Sequence, residues 1–313
     1  MSKGPLYVTL CYVFWGLLPI FWKTLNSLDS LYVLASRVFW SLLFCTIILL
    51  ARKNWGQLKT VFQDKKQLLK IAICAILITI NWGSYIWAVN ANHIIDASLA
   101  YYMEPIIVIF IGAVIFKERL TKLHWGSVAL AALGVIVPII YYGEFPFIAL
   151  VIAVTFAVYG ALKKTINIDG LLSIFMETLI MAPLALGFII YMETRQLGAL
   201  AILDGWQYLL LPLSGVVTSI PLILFSHGIK ETTYNLSGIL MYINPTIELL
   251  VGVLLFHEQF TTVQGVTFGF VWIAIIVYLV ANRSQLKSPD SASIANISDI
   301  KNVSNKATTK SSK

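Results

Sequence analysis

Charge is what this sequence has least of. Only 12% of its 313 residues are Asp, Glu, Lys or Arg and 58% are hydrophobic, whereas a soluble domain carries about 25% charged residues. Mean hydropathy is +0.83. So little polar surface cannot face water on all sides, and the reading is an all-α polytopic membrane protein with a lipid bilayer as its first partner. Cysteine is scarce too. Cys11, Cys45 and Cys74 all fall inside apolar runs, so they are read as small core residues rather than a disulfide framework or metal site. The four histidines, His93, His124, His227 and His257, are scattered over different helix ends. No His-Glu-x-x-His pair, P-loop, dinucleotide fingerprint or nucleophile elbow occurs. The expectation is a chain that is not an enzyme, has no catalytic residues, uses no cofactor or metal and binds no nucleic acid. No small-residue cleavage site follows the first apolar run after Lys3, which is therefore read as a spanning helix and not a signal peptide.

What is abundant is apolar length. A hydrocarbon layer of about 30 Å takes about 20 residues of helix. Ten such runs can be counted, near 5–22, 30–51, 68–90, 95–116, 122–142, 145–162, 170–191, 206–229, 233–256 and 262–282. Lys and Arg accumulate on the cytoplasmic side of membrane proteins. With the N-terminus placed there, the inner set is Lys3, Arg52, Lys53, Lys59, Lys65, Lys66, Lys70, Lys117, Arg119, Lys122, Lys163, Lys164 and Lys230, and the outer set is Lys23 and Arg195 alone. Both termini are expected in the cytoplasm. Residues 284–313 are rich in Ser, Lys, Asn and Asp without an aromatic, and are read as a disordered cytoplasmic tail. The acceptor-like triplets at Asn296 and Asn302 carry no weight on that side of a membrane.

Within the apolar runs lies an internal echo. Ser98–Thr121 (SLAYYMEPIIVIFIGAVIFKERLT) and Gly238–Thr261 (GILMYINPTIELLVGVLLFHEQFT) align without a gap, and seven positions match: Tyr102/Tyr242, Pro105/Pro245, Ile107/Ile247, Gly112/Gly252, Phe116/Phe256, Glu118/Glu258 and Thr121/Thr261. Ten spans divided by this echo make two units of five, 4–142 and 143–283. An odd number of crossings inserts the second unit upside down. Inverted repeats of this kind build secondary transporters with a solute site near the midplane. The expected partner is thus a small-molecule substrate; oligomeric state is left open.

Ionisable side chains inside such spans cost at least a few kcal/mol and normally face a bundle interior or a water-filled cavity. Arg37, Glu104, Glu177 and Glu248 are the four. Arg37 could bind an anionic group or pair with one of the three carboxylates. Glu104 precedes Pro105, whose ring should open the fourth helix locally. Asn244, the repeat mate of Glu104, lies one turn before Glu248, so both share a face, with Tyr242 nearby. Glu104, Glu177 and Glu248 are the proton-coupling candidates. For Glu177 a local hydrogen-bonding role beside Ser173 and Thr178 is equally open. Glu118 and Glu258 sit at helix ends, where a structural role is expected. The third run reads NWGSYIWAVN, and its Asn81, Trp82, Tyr85, Trp87 and Asn90 suit either a packing belt or a pocket for a partly apolar solute. The substrate-binding candidates are therefore Arg37, Asn81, Trp82, Tyr85, Trp87, Asn90, Tyr102, Glu104, Tyr242 and Asn244.

The segments SRVFWS (36–41), NWGSYIWAVN with HIIDASLAYYMEP (81–105), FKERLTKLHWGSVALAALGV (116–135), SGILMYINP and FHEQFT make the chain similar to the drug/metabolite transporter superfamily. The likeness is to its ten-helix EamA-type family and, more closely, the bacterial RarD-like subgroup, and it covers about residues 4–285. The resemblance implies two inverted five-helix repeats, a central cavity and export or exchange of small metabolites by alternating access in a bacterial inner membrane. By position, Arg37, Trp82, Trp87, Asn90 and Tyr102 match residues typical of the subgroup, which carries a chloramphenicol-sensitivity label. Where the first-half motif of the family usually reads Asn-Pro, this chain has Glu104-Pro105. The readings to be separated are a proton- or solute-coupled exporter, a facilitative permease or exchanger, and a membrane sensor or assembly protein.

Overall fold

The computed structural model describes residues 3–52, 56–91, 94–143, 145–257 and 259–286. These form helices α1 (Gly4–Trp22), α2 (Ser30–Arg52), α3 (Gly56–Gln63), α4 (Lys65–Asn90), α5 (Ile94–Val114), α6 (Lys122–Tyr142), α7 (Phe147–Thr165), α8 (Gly170–Thr194), α9 (Ala199–Ile202), α10 (Leu210–Glu231), α11 (Tyr234–Met241), α12 (Ile243–Leu250) and α13 (Thr262–Leu286). No strand occurs among the described residues. Nine helical stretches there are long and apolar enough to cross a membrane, and a shorter apolar one, Leu99–Val114, fills the place of the fourth expected span. Helix α13 carries on to Leu286, past the expected start of the tail at 284; the rest of the tail, with Asn296 and Asn302, lies outside the described residues. Large side chains such as Ile47, Leu69, Ile140, Leu184 and Leu254 are exposed on the outside of the bundle, as a lipid-facing surface requires.

The two prolines at matched positions behave differently. Pro245 has no N–H and its ring crowds the carbonyl four residues back, at Met241. There α11 ends, the chain turns tightly at Tyr242, and α12 begins. Pro105 was expected to open the fourth helix, but α5 runs through it unbroken. The end of the echo has a structural meaning in both copies. Lys117 and His257 adopt left-handed backbone, with φ 53° and 55°. Four residues later a threonine caps the next helix. Thr121 Oγ1 accepts from His124 N at 3.4 Å and Thr261 Oγ1 from Gln264 N at 3.2 Å. Side chains answer those bonds: Thr121 N donates to His124 Nδ1 and Thr261 N to Gln264 Oε1, a reciprocal cap at each site. The Glu118 carboxylate accepts the first amides of α11, Tyr234 N at 2.5 Å and Asn235 N at 2.8 Å. It tethers the first half to the second, the structural role expected for it; Glu258 lies outside the described residues.

Several of the main helix contacts recur when the halves are exchanged. Helix α4 lies on α7 as α10 lies on α1; α5 lies on α7 as α12 lies on α1; α2 lies on α10 as α8 lies on α4. The pairs α6–α13, α2–α8 and α5–α11 join equivalent helices. Lipid supplies no hydrophobic drive for such contacts, so they rest on close approach at small residues. A Cβ at Gly215 of α10 would run into the backbone of Trp40 and Ser41 on α2, one at Gly228 into α1 at Val8, and one at Gly238 of α11 into the Pro105 carbonyl of α5. Ser41 Oγ also donates to Gly215 O at 3.2 Å.

Gly215→Leu should therefore separate α2 from α10 at a cost of about 1–3 kcal/mol or more. The expected result is a clear drop in detergent melting temperature and in monodisperse yield, with Gly126→Leu, where a side chain meets nothing, behaving as wild type.

Candidate functional site

Helix α4 turns Asn81, Trp82 and Tyr85 to one side, because residues four apart lie above one another. They face Arg37 of α2, Tyr101 and Glu104 of α5, and Asn244 and Glu248 of α12 across a single cavity of about 560 Å³. Trp15 and Phe156, edge to face with centroids 5.5 Å apart, are among its apolar lining. Lys23, Asn26 and Ser30, in or beside the turn between α1 and α2, line it as well, and Lys23 and Asn26 are exposed. The cavity therefore opens at the α1–α2 end of the bundle.

Arg37 is held by rings and not by a carboxylate. Its guanidinium carbon lies 3.6 Å from the Trp82 ring centroid and 5.1 Å from that of Trp22, a cation–π arrangement. It takes part in no ion pair among the described residues, so the pairing of Arg37 with a membrane carboxylate is not realised here. Arg37 Nε, Thr218 Oγ1 and Asn244 Oδ1 are buried without a hydrogen-bond partner among the described residues, and all three residues line the cavity. Asn81 is fixed from behind: its Nδ2 donates to Ile152 O at 2.7 Å. Lys23 Nζ sits 3.6 Å over the Phe256 ring.

Of the candidates named from sequence, Arg37, Asn81, Trp82, Tyr85, Glu104, Asn244 and Glu248 come together at this cavity. The others do not. Trp87 follows Tyr85 by two residues, hence on the far side of α4, and is 54% exposed on the outer surface. Tyr102 points a quarter-turn away from Tyr101 and packs edge-on against Phe268 at 5.3 Å. Tyr242 is fully buried at the α11–α12 break, its hydroxyl donating to Tyr102 O at 3.2 Å, so these two mates brace the halves. The Asn90 side chain lies outside the described residues. Tyr101 was missed, although its three-residue spacing from Glu104 places both on one face. Lys23 was counted only as a loop charge.

Glu177 lies elsewhere, in a buried ion pair. Lys163 Nζ meets Glu177 Oε1 at 2.5 Å and Ser173 Oγ at 2.8 Å, while Tyr159 donates to the other carboxylate oxygen at 3.3 Å. Both charged groups are almost wholly buried. Lys163, expected in a cytoplasmic loop, is thus inside the bundle. Around it the end of the bundle opposite the cavity mouth is tied shut. Lys164 donates to the carbonyls of Ile229 and Thr232, Lys230 donates to Ile168 O at 2.5 Å, and His227 is 3.2 Å from Asp169. The hydrogen bond from His227 draws the Asp169 carboxyl below its ordinary range. A chamber of about 20 Å³ behind Trp82 and Thr218 separates Glu177 from the main cavity.

Residues 2–140 match the model of the EamA-like transporter family. An uncharacterized transporter of Bacillus subtilis, YojE, is 37% identical over 284 residues, 88% of this chain and 93% of the relative. The chain belongs to the EamA-like transporter family. Protein RarD of Streptomyces exfoliatus, 36% identical over 274 residues, or 88% of this chain and 87% of RarD, places it among the RarD-like members. A protein crystal structure with 17% identity superposes with a TM-score of 0.70 over 90% of this chain and 99% of the other, a likeness of fold alone. In this EamA-family chain the open cavity and the sealed end are built from different charges, and the seal is accessible to mutation. Leaving one member of a buried ion pair alone costs about 3–5 kcal/mol, while replacing both with apolar groups is often neutral. Lys163→Met or Glu177→Met should each depress the melting temperature strongly, and the double variant should recover most of the loss.

Proposed function

We propose that this chain is a secondary transporter that exports small organic metabolites or drugs by alternating access between two inverted five-helix halves, 4–142 and 143–283. The observation that carries the proposal is the convergence of Arg37, Glu104, Asn244 and Glu248, from three helices, on one cavity open at a single end. A volume of about 560 Å³ suits a drug-sized solute. Its aromatic walls suit a partly apolar one. The exchange symmetry of the packing supports rocking of one half against the other, and five crossings per half support the inversion.

Both termini lie in the cytoplasm on this reading. Lys163 no longer counts toward the loop charge, being buried, yet the remaining Lys and Arg still fall overwhelmingly on one side. The N-terminal end of α1 packs beside the sealed end, at Glu231 and Thr232. The cavity mouth is then periplasmic and the structure outward-open. Glu104 and Glu248, on the cavity wall, are the coupling carboxylates; Glu177, neutralised by Lys163, is not. A carboxylate that exchanges a proton for substrate must reach the solute or its water, and of the three candidates Glu104 and Glu248 line the cavity.

The test is proton release from purified protein in detergent on adding a library of metabolites and drugs, repeated with Glu104→Gln and Glu248→Gln. Release upon binding, abolished in one variant with binding retained, is the expected outcome. Binding with no proton released in any form would leave the facilitative exchanger as the correct reading.

A further inference from the structure

The register of the echo, 140 residues, extends beyond the matched segment. Asp29 and Asp169 occupy it, and both cap helices: Asp29 Oδ1 accepts from Leu31 N and Tyr32 N, and Asp169 Oδ1 from Leu171 N and Leu172 N. In the same register Lys23 corresponds to Lys163 and Arg37 to Glu177. The pair that seals one end of the molecule is therefore matched, at the open end, by two cations.

In an inverted-repeat transporter the opposite state is reached when the halves exchange conformations. Closing the α1–α2 end then brings residues 23 and 37 into the relation that 163 and 177 hold here, where Lys163 Nζ and Glu177 Oε1 are 2.5 Å apart. Two cations cannot take up that relation in a low-dielectric interior unless an anion lies between them. In the open structure each rests on an aromatic face, Lys23 on Phe256 and Arg37 on Trp82. Neither has an ion-pair partner among the described residues. The cavity carboxylates belong to α5 and α12, not to the α1–α2 pair that must close.

We propose that Lys23 and Arg37 form an anion-dependent gate: the α1–α2 end closes only around a carboxylate or phosphate group of the transported solute, bridged between the ammonium and the guanidinium. This rests on the alternating-access reading and narrows the substrate to solutes bearing such a group. It also makes the empty carrier reluctant to cross over, so that exchange of one anion-bearing solute for another is favoured over net export.

The experiment uses the full chain in lipid nanodiscs with single reporters alkylated by neutral N-ethylmaleimide; the native thiols are buried. Leu18→Cys reports the cavity, and Ser237→Cys, buried just inside the sealed end, reports the opposite side. Arg37→Glu restores at the open end the charge pair of the sealed one. It should slow Leu18→Cys labelling at least tenfold without any ligand, and adding Lys23→Met should return the rate to that of wild type. An unchanged rate, or a slowing that persists without Lys23, overturns the gate. In the Arg37 form, inorganic phosphate or benzoate should slow labelling where chloride at equal ionic strength does not, and whichever acts identifies the chemistry. Slowing by neither overturns the anion requirement. The alternating-access reading is judged separately in the Arg37→Glu form, where adding Lys163→Met/Glu177→Met should speed Ser237→Cys labelling and slow Leu18→Cys labelling further; rates that do not move in opposite directions overturn that reading and leave the gate to be judged by the arms above.

Discussion

A charge surrounded by hydrocarbon must be paired or must reach water, and the architecture of this protein follows from how it meets that demand. Lys163 and Glu177 are paired, with Ser173 and Tyr159 taking up remaining bonding capacity. Such a pair repays its desolvation only when geometry is good and neighbours are satisfied. It is therefore found where helices are drawn tightest, beside inward-turned Lys164 and Lys230 that bond backbone carbonyls. Arg37, Glu104 and Glu248 take the other course and line an open cavity. Sealing one end and hollowing the other are two answers to the same electrostatic requirement.

Helix α7 joins them. Ile152, Phe156, Tyr159 and Lys163 recur at helical spacing along one face, the first two on the cavity and the last at the seal. From Phe156 to Lys163 the rise is about 10 Å. In that distance the rings of Phe156, Tyr159 and Phe225 pack against one another between the cavity and the seal. Tyr234 donates to Ala157 O and closes the same layer from α11.

Much of this was legible from residue spacing. Asn244 and Glu248, one turn apart, do share the cavity face, as do Asn81 and Tyr85. The repeat of Pro, Glu and Thr marked a left-handed turn and a reciprocal cap that both halves use. What spacing could not show was which face of an apolar helix meets protein and which meets lipid, since both are equally apolar. Trp87 and Tyr102 lie off the cavity, and nothing in NWGSYIWAVN or LAYYMEP distinguishes the cavity side from the lipid or core side. Lys163 was misjudged for another. One residue past the expected end of its span at 162, a lysine reads as solvated, and only a carboxylate fourteen residues later in the chain, on the adjoining helix, draws it inside.

The packing obeys a two-fold exchange that the charges break, and the size of that break can be gauged. Two unit charges about 4 Å apart interact by about 4 kcal/mol at an effective dielectric of about 20. For Lys163 and Glu177 the sign is attractive; for Lys23 and Arg37 brought to the same separation it is repulsive. The difference is then about 8 kcal/mol; even a quarter of it would bias an otherwise symmetric pair of end states by more than tenfold, and half of it by about a thousandfold. An anion placed between the two cations reverses the sign at the one position where the halves differ most in charge. On the alternating-access reading proposed above, the broken symmetry supplies what a pseudo-symmetric carrier otherwise lacks, a reason to rest open on one side and to cross over only when loaded.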